Sequence, residues 1–240
     1  MNDAADAPSP FSRPGFLVAA VAVAGVILLA VVLLLTDEET PEPVSEPAGS
    51  TAPSSAAPAD EPSVCGLEGE VTEGRLTSAP EVDAWEYQVT VPYPVSADHG
   101  PGAVTDEGVR HCYQRSPEGA LYAASNALAQ ATDGTVKAAF AEHFVAPGGS
   151  REQLLAAARR PADPDVRFAP AGFRLLSYDG GSARVEIAAT AVVDGDELYF
   201  SLVYPLIWRD GDWKLDSGGM DPGSMAEIPD AAGYIPWGVE

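Results

Sequence analysis

Residues able to do chemistry are few in this chain and lie far apart. There are two cysteines, Cys65 and Cys112, and three histidines, His99, His111 and His143, among 240 residues. Two distant thiols can form a disulfide, ligate a metal or act as a reactive nucleophile. An oxidising compartment favours the disulfide. Such a bridge would close a loop of about 48 residues and stabilise the chain by roughly 3–4 kcal/mol in the chain-entropy picture. The histidines show none of the tight spacings of a zinc helix or finger. His111 adjoins Cys112 and could supply half of a metal site, but the disulfide is the stronger expectation for that pair. His143 falls between Phe140 and Phe144 on one helical face and reads as a satisfied structural histidine.

A cavity carboxylate beside a tyrosine could carry acid–base chemistry. Asp179, Glu186 and Tyr204 are the residues that could be cast in that role, although solvated turns or strand faces account for both acids. No G-x-S-x-G elbow, P-loop or dinucleotide fingerprint occurs. Gly148-Gly149-Ser150 is explained by a helix stop followed by a cap. Catalytic, cofactor-binding and metal-binding residues are therefore expected to be absent, with Cys65 and Cys112 as the only site residues, joined as a disulfide. The chain is read as a non-enzyme that needs no cofactor.

Charge narrows the partners. Acidic residues number 36 against 13 basic ones, a net of −23. A surface this acidic repels phosphates, so direct nucleic-acid binding is excluded. Only Lys137 and Lys214 are lysine. With abundant Ala, Pro, Gly and Val, that usage resembles a high-GC actinobacterial protein.

The longest-range signal is Phe16–Leu35, twenty consecutive residues without a charge. At helical rise they span roughly 30 Å, a bilayer's hydrocarbon thickness. The run is longer than a secretory signal and has no A-x-A border, so it reads as an uncleaved transmembrane helix. Arg13 precedes it, and the next basic residue after it is Arg75. This bias puts the N-terminus (residues 1–15) in the cytoplasm and the C-terminal domain outside, as a single-pass cell-membrane protein. Residues 36–63, rich in Pro, Ser, Ala and acids, read as a disordered stalk.

The elements beyond the stalk follow from pattern. Trp85–Val91 alternates as a strand, and Pro92, Pro94, Gly100 and Pro101 impose an irregular loop, so residues 64–115 form an extended arm stapled by the disulfide. Ser116-Pro117-Glu118 caps a first helix carrying Leu121, Ala124, Leu128 and Ala131. A second helix carries Val136, Phe140 and Phe144, and Ser150–Gln153 is a capping box opening a third. Strands are expected at Gly172–Tyr178, Ala183–Val193, Leu198–Trp208 and Trp213–Asp216, joined by three Asp-Gly turns into a four-strand antiparallel meander. Pro205 should mark a bulge or an edge. The Gly/Pro-rich tail, residues 217–240, reads as a coil whose aromatics plug the sheet's end, or else as a partner-binding strap.

Three helices followed by curling strands, ending in Trp208–Leu215 (WRDGDWKL), resemble the nuclear transport factor 2-like (cystatin-like) cone. That resemblance implies an α+β fold, residues 116–216, with three helices packed on a curved four-strand meander. The anchor, the stalk, Cys65-Gly66-Leu67, Cys112 and SPEGALYAA at Ser116–Ala124 resemble an uncharacterised actinobacterial family of single-pass proteins. The architecture is also similar to the cone subunits of conjugation and type IV secretion machines. The implied function is a non-enzymatic structural or assembly subunit of a conjugation-like transport apparatus. Its expected partners are membrane protein subunits, copies of itself and the bilayer through residues 16–35. The alternative is a surface module holding a small ligand in the cone cavity, which an interior filled by Phe140, Phe144 and Trp213 would count against.

Overall fold

A computed structural model describes residues 62–161, 167–193, 196–219 and 225–239. The sequence expectations for the tail at 1–15, the apolar run at 16–35 and the stalk up to residue 61 lie outside the described residues.

The arm begins with a hairpin where one strand was expected. β1 (Ala84–Gln88) pairs antiparallel with β2 (Val91–Val95), from Gln88↔Val91 back to Ala84↔Val95. The two-residue turn is Val89-Thr90, with Val89 at φ +56°, a region that β-branched residues avoid. The prolines read as loop-formers sit inside β2. In a two-residue hairpin the pair closing the turn exchanges both hydrogen bonds, so residues 91, 93 and 95 donate to β1 while 92 and 94 face away. Pro92 and Pro94 occupy the two positions where no donor is needed. β3 (Ala103–Val104) and β4 (Arg110–His111) form a second short pair.

The helical part follows. Ser116 accepts the Gly119 amide at 2.9 Å and Pro117 opens α1 (Pro117–Thr132). A Cβ at Gly119 would collide with the Gln114 carbonyl oxygen, so glycine lets the incoming chain cross the helix start. α1 is Ala-rich and buried on nearly every side, as a central helix must be. α2 (Lys137–Phe144) and α3 (Arg151–Ala158) complete the helices. The capping box expected at α3 does not form: the Ser150 side chain makes no cap bond, and its amide donates to the Ser217 carbonyl. Contact of this turn with Ser217–Gly218 replaces the side-chain cap.

β5 (Arg167–Tyr178), β6 (Ser182–Val193), β7 (Asp196–Arg209) and β8 (Asp212–Leu215) pair in sequence order. The tail contributes two further strands. β9 (Met225–Ile228) pairs with β7, and β10 (Ile235–Pro236) with β5. The expected cone, three helices on a four-strand meander, is thereby corrected to a six-strand antiparallel sheet with three short helices and two small hairpins beside it. The tail escaped notice as strand because its apolar residues come singly or in pairs among glycines, prolines and acids. Pro205 falls between Leu202, the last partner of β9, and Leu206, the first of β8, where its missing amide costs no ladder bond. Asp210 and Gly211 both have positive φ, +55° and +72°, as a type I′ Asp-Gly turn requires.

No helix among the described residues is long and apolar enough to cross a membrane. The expected single-pass, extracytoplasmic placement is withdrawn on that finding; the run on which it rested, residues 16–35, lies outside the described residues.

The core lies between α1 and the sheet. Trp208, Trp213, Tyr122, Phe173 and Leu121 are its largest fully buried side chains, with Phe140 and Phe144 stacked at 4.8 Å beside them. The sheet's inner face is filled. Trp237 packs edge-on against Trp85 of β1 (5.2 Å), Tyr122 of α1 (5.3 Å) and Phe173 of β5 (5.7 Å), tying tail, arm and body together.

Candidate functional site

Cys65 and Cys112, 47 positions apart in sequence, form a disulfide with Cα atoms 6.1 Å apart. Cys112 takes a left-handed conformation, φ +67°. Asp212 holds it there: one carboxylate oxygen accepts the Cys112 amide at 3.0 Å, and the other accepts the Tyr113 and Trp213 amides, each at 2.9 Å. Asp212, the residue that follows the Asp210-Gly211 turn and opens β8, is therefore the clamp between arm and body. Its side chain is 3 % exposed, with Lys214 Nζ 3.4 Å away.

α1 makes the second clamp. Asn126 and Gln130, one helical turn apart, are both fully buried. Gln130 accepts the Arg110 amide at 2.7 Å and donates to the Arg110 carbonyl at 3.1 Å, mimicking a strand neighbour. Asn126 accepts from Arg110 Nε at 2.8 Å and donates to the Pro94 carbonyl at 3.0 Å. Asn126 and Gln130, amide side chains four positions apart in an Ala-rich helix, were the sequence signal for this contact.

These bonds decide which strand edge of the arm is open. The outward edge of β2 has prolines in place of donors, and its Pro94 carbonyl is taken by Asn126. The outward edge of β1 carries the amides and carbonyls of Trp85 and Tyr87. Among the described residues no strand, helix or side chain pairs with them. Tyr87 is 60 % exposed, and Val89 at the hairpin tip is 78 % exposed. An unpaired row of backbone donors and acceptors is a template for another strand.

A groove of about 450 Å³ is lined from both the hairpin and the β3–β4 ribbon, among others by Asp83, Glu86, Tyr93 of β2, Val104 of β3 and Arg110 of β4; neither Trp85 nor Tyr87 lines it. The Tyr93 hydroxyl donates to Glu86 at 2.7 Å. Burial, then the Glu86 carboxylate, pushes the Tyr93 phenol upward. The Arg110 guanidinium carbon lies 3.6 Å from the centre of the Tyr93 ring, and its Nη2 is buried without a partner. Asp83 and Glu86 are exposed, and no ion pair among the described residues includes either.

The histidines divide. His99 Nδ1 lies 2.8 Å from Gln114 Oε1 and serves the loop. His111 of β4 and His143 of α2 meet, with ring centroids 4.7 Å apart. His111 Nδ1 and His143 Nε2 are buried without hydrogen-bond partners, so His143 is not the satisfied residue expected from sequence. One ligand atom each from His111, His143 and Asp212 lie within 4.8 Å of one another. Burial, with Lys214 and His111 nearby, pushes His143 down to about 4, and burial lowers His111 too.

The acid–base trio is not brought together. Tyr204 pairs with core-facing Val185, whereas Glu186, next along β6, points to the opposite face of the sheet. There Glu186 accepts Ser201 Oγ at 2.5 Å and the Tyr234 hydroxyl at 2.8 Å. Asp179 is exposed in the β5–β6 turn. Partial burial, which would raise its carboxyl, is outweighed by hydrogen bonds from Ser182 and Gly181 that hold it below the usual range.

Comparison with protein-family models matches residues 42–236 to a domain of unknown function, DUF8175. The match takes in most of the chain, which belongs to that family. No curated protein and no solved structure matches it.

Proposed function

We propose that this member of the DUF8175 family is a non-enzymatic assembly module whose open β1 edge accepts an extended strand from a partner protein. The observation that carries the proposal is the asymmetry of the arm: prolines and Asn126 close the β2 edge, while the β1 edge is left unpaired next to exposed Tyr87 and Val89. Strand addition draws affinity from main-chain bonds and specificity from pockets for alternate side chains. Here the exposed carboxylates of Asp83 and Glu86, one just before β1 and one within it, would meet the side chains of an added strand.

The partner segment is therefore extended and basic. Homotypic pairing is opposed by charge, because each copy carries a net of −23. The filled inner face of the sheet argues against a ligand held within it. The cone on which a conjugation-like apparatus was expected is replaced by a six-strand antiparallel sheet. What remains is the assembly role.

The test is cross-linking of the full-length protein in cells, followed by mass spectrometry of the linked peptides. The proposal expects links from residues 84–89 to a basic, extended segment of another protein. A chain that migrates alone, or links that avoid β1 altogether, would refute it.

A further inference from the structure

The geometry points to a transition-metal site formed by His111, His143 and Asp212, suited to an imidazole-preferring divalent ion such as Zn²⁺. Each ligand comes from a different element: His111 from β4 in the arm, His143 from α2 and Asp212 from the start of β8. Their donor atoms lie within 4.8 Å of one another. Tetrahedral zinc with bonds of about 2.0–2.2 Å needs donors roughly 3.3–3.6 Å apart, so imidazole rotation and a shift of about 1 Å close the site.

Two further observations support a ligand here rather than a chance meeting. His111 Nδ1 and His143 Nε2 are buried and unpartnered, whereas buried ring nitrogens ordinarily find a hydrogen bond. Two such nitrogens on rings 4.7 Å apart leave two ring positions unsatisfied in either tautomer, and a bound ion would take them as acceptors. Asp212 is in addition fixed by three backbone amides, the kind of outer support that orients a ligating carboxylate. The two imidazoles favour zinc, copper or nickel over calcium or magnesium. Lys214 now balances the charge of Asp212, with Nζ 3.4 Å from Oδ2. An ion would take over that task and release the lysine. Since the three ligands join the arm to the body next to Cys112, the ion would act as a second fastening beside the disulfide.

The experiment is titration of the chelator-treated full-length protein with Zn²⁺, in excess Mg²⁺ to occupy weak acidic sites, and in parallel with Co²⁺. The expected result is one equivalent of Zn²⁺ bound and a visible Co²⁺ band of four-coordinate intensity. His143→Gln and His111→Gln should each weaken binding at least about tenfold and abolish the band. Lys214→Met should strengthen binding, because it removes a competing cation. The site is refuted if wild type and the double histidine variant give the same isotherm, which would mean binding through the acidic surface only. It is equally refuted if Co²⁺ gives only the pale spectrum of six oxygen ligands.

Discussion

At one end of the main sheet, β8 is buried along its whole length. The chain leaving α2 lies against it, bridging Val145 to Leu215 and bonding the Ala146 amide to the Leu215 carbonyl at 2.9 Å. At the other end, β10 is two residues long and contains Pro236. Both ends carry the usual protections of a sheet edge: cover, shortness and proline. The arm protects only one of its two edges. β2 has Pro92, Pro94 and the Asn126 contact, while β1 exposes the amides and carbonyls of Trp85 and Tyr87. Both ends of the main sheet and the β2 edge are closed by such means, whereas among the described residues the β1 edge pairs with nothing.

The comparison can be broken by detaching the arm from the body. Asp212→Ala should have the largest effect, since it strands the amides of Cys112, Tyr113 and Trp213 and leaves Lys214 without its carboxylate. A loss of about 3–5 kcal/mol is expected from denaturant unfolding. Replacing Cys65 and Cys112 together by serine should cost roughly 3–4 kcal/mol. Amide exchange should accelerate in β1–β4 more than in β5–β8 of that variant. Equal acceleration in both would mean that arm and body are not separable units.

A smaller effect comes from His143. Its folded value, near 4, lies below the ordinary 6.5, so the unfolded chain binds the extra proton first. The metal-free protein should therefore lose stability as pH falls from about 6.5 towards 4, and His143→Gln should flatten that part of the curve. Smallest is Val89→Gly at φ +56°, which relieves a strained β-branched residue at the hairpin tip. A gain of about 0.5–1 kcal/mol is expected in thermal melts, with partner binding reduced only through the lost Val89 contact.

The body was legible because its signals are local and periodic. Ser116-Pro117 marks a helix start, period-two runs mark β5 to β8, and Asp210-Gly211 marks a turn. The arm was not. Val89-Thr90 has no turn chemistry, so strain set by tertiary contacts makes the hairpin, and Pro92 and Pro94 look like breakers until the hydrogen-bond phase of the strand is known. The histidine–aspartate cluster joins positions 111, 143 and 212, whose spacing matches no motif and which only the folded chain brings together. Asp212 merely follows the Asp210-Gly211 turn in sequence, although four donors converge on it in the fold.

The open edge is tested most directly by Tyr87→Pro against Tyr87→Thr in the full-length protein. Tyr87 presents its amide to the outside, so proline there removes one donor for an added strand while sparing the β1–β2 bonds, much as Pro92 does opposite it. Threonine shortens the side chain and keeps the donor. Extended peptides selected by display against the wild-type protein should be basic and poor in proline. They should bind Tyr87→Thr within a few-fold of wild type and lose at least about tenfold on Tyr87→Pro, one main-chain bond being worth about 1 kcal/mol or more at such an edge. Equal binding to both variants, with both melting like the wild type, would contradict strand addition at β1.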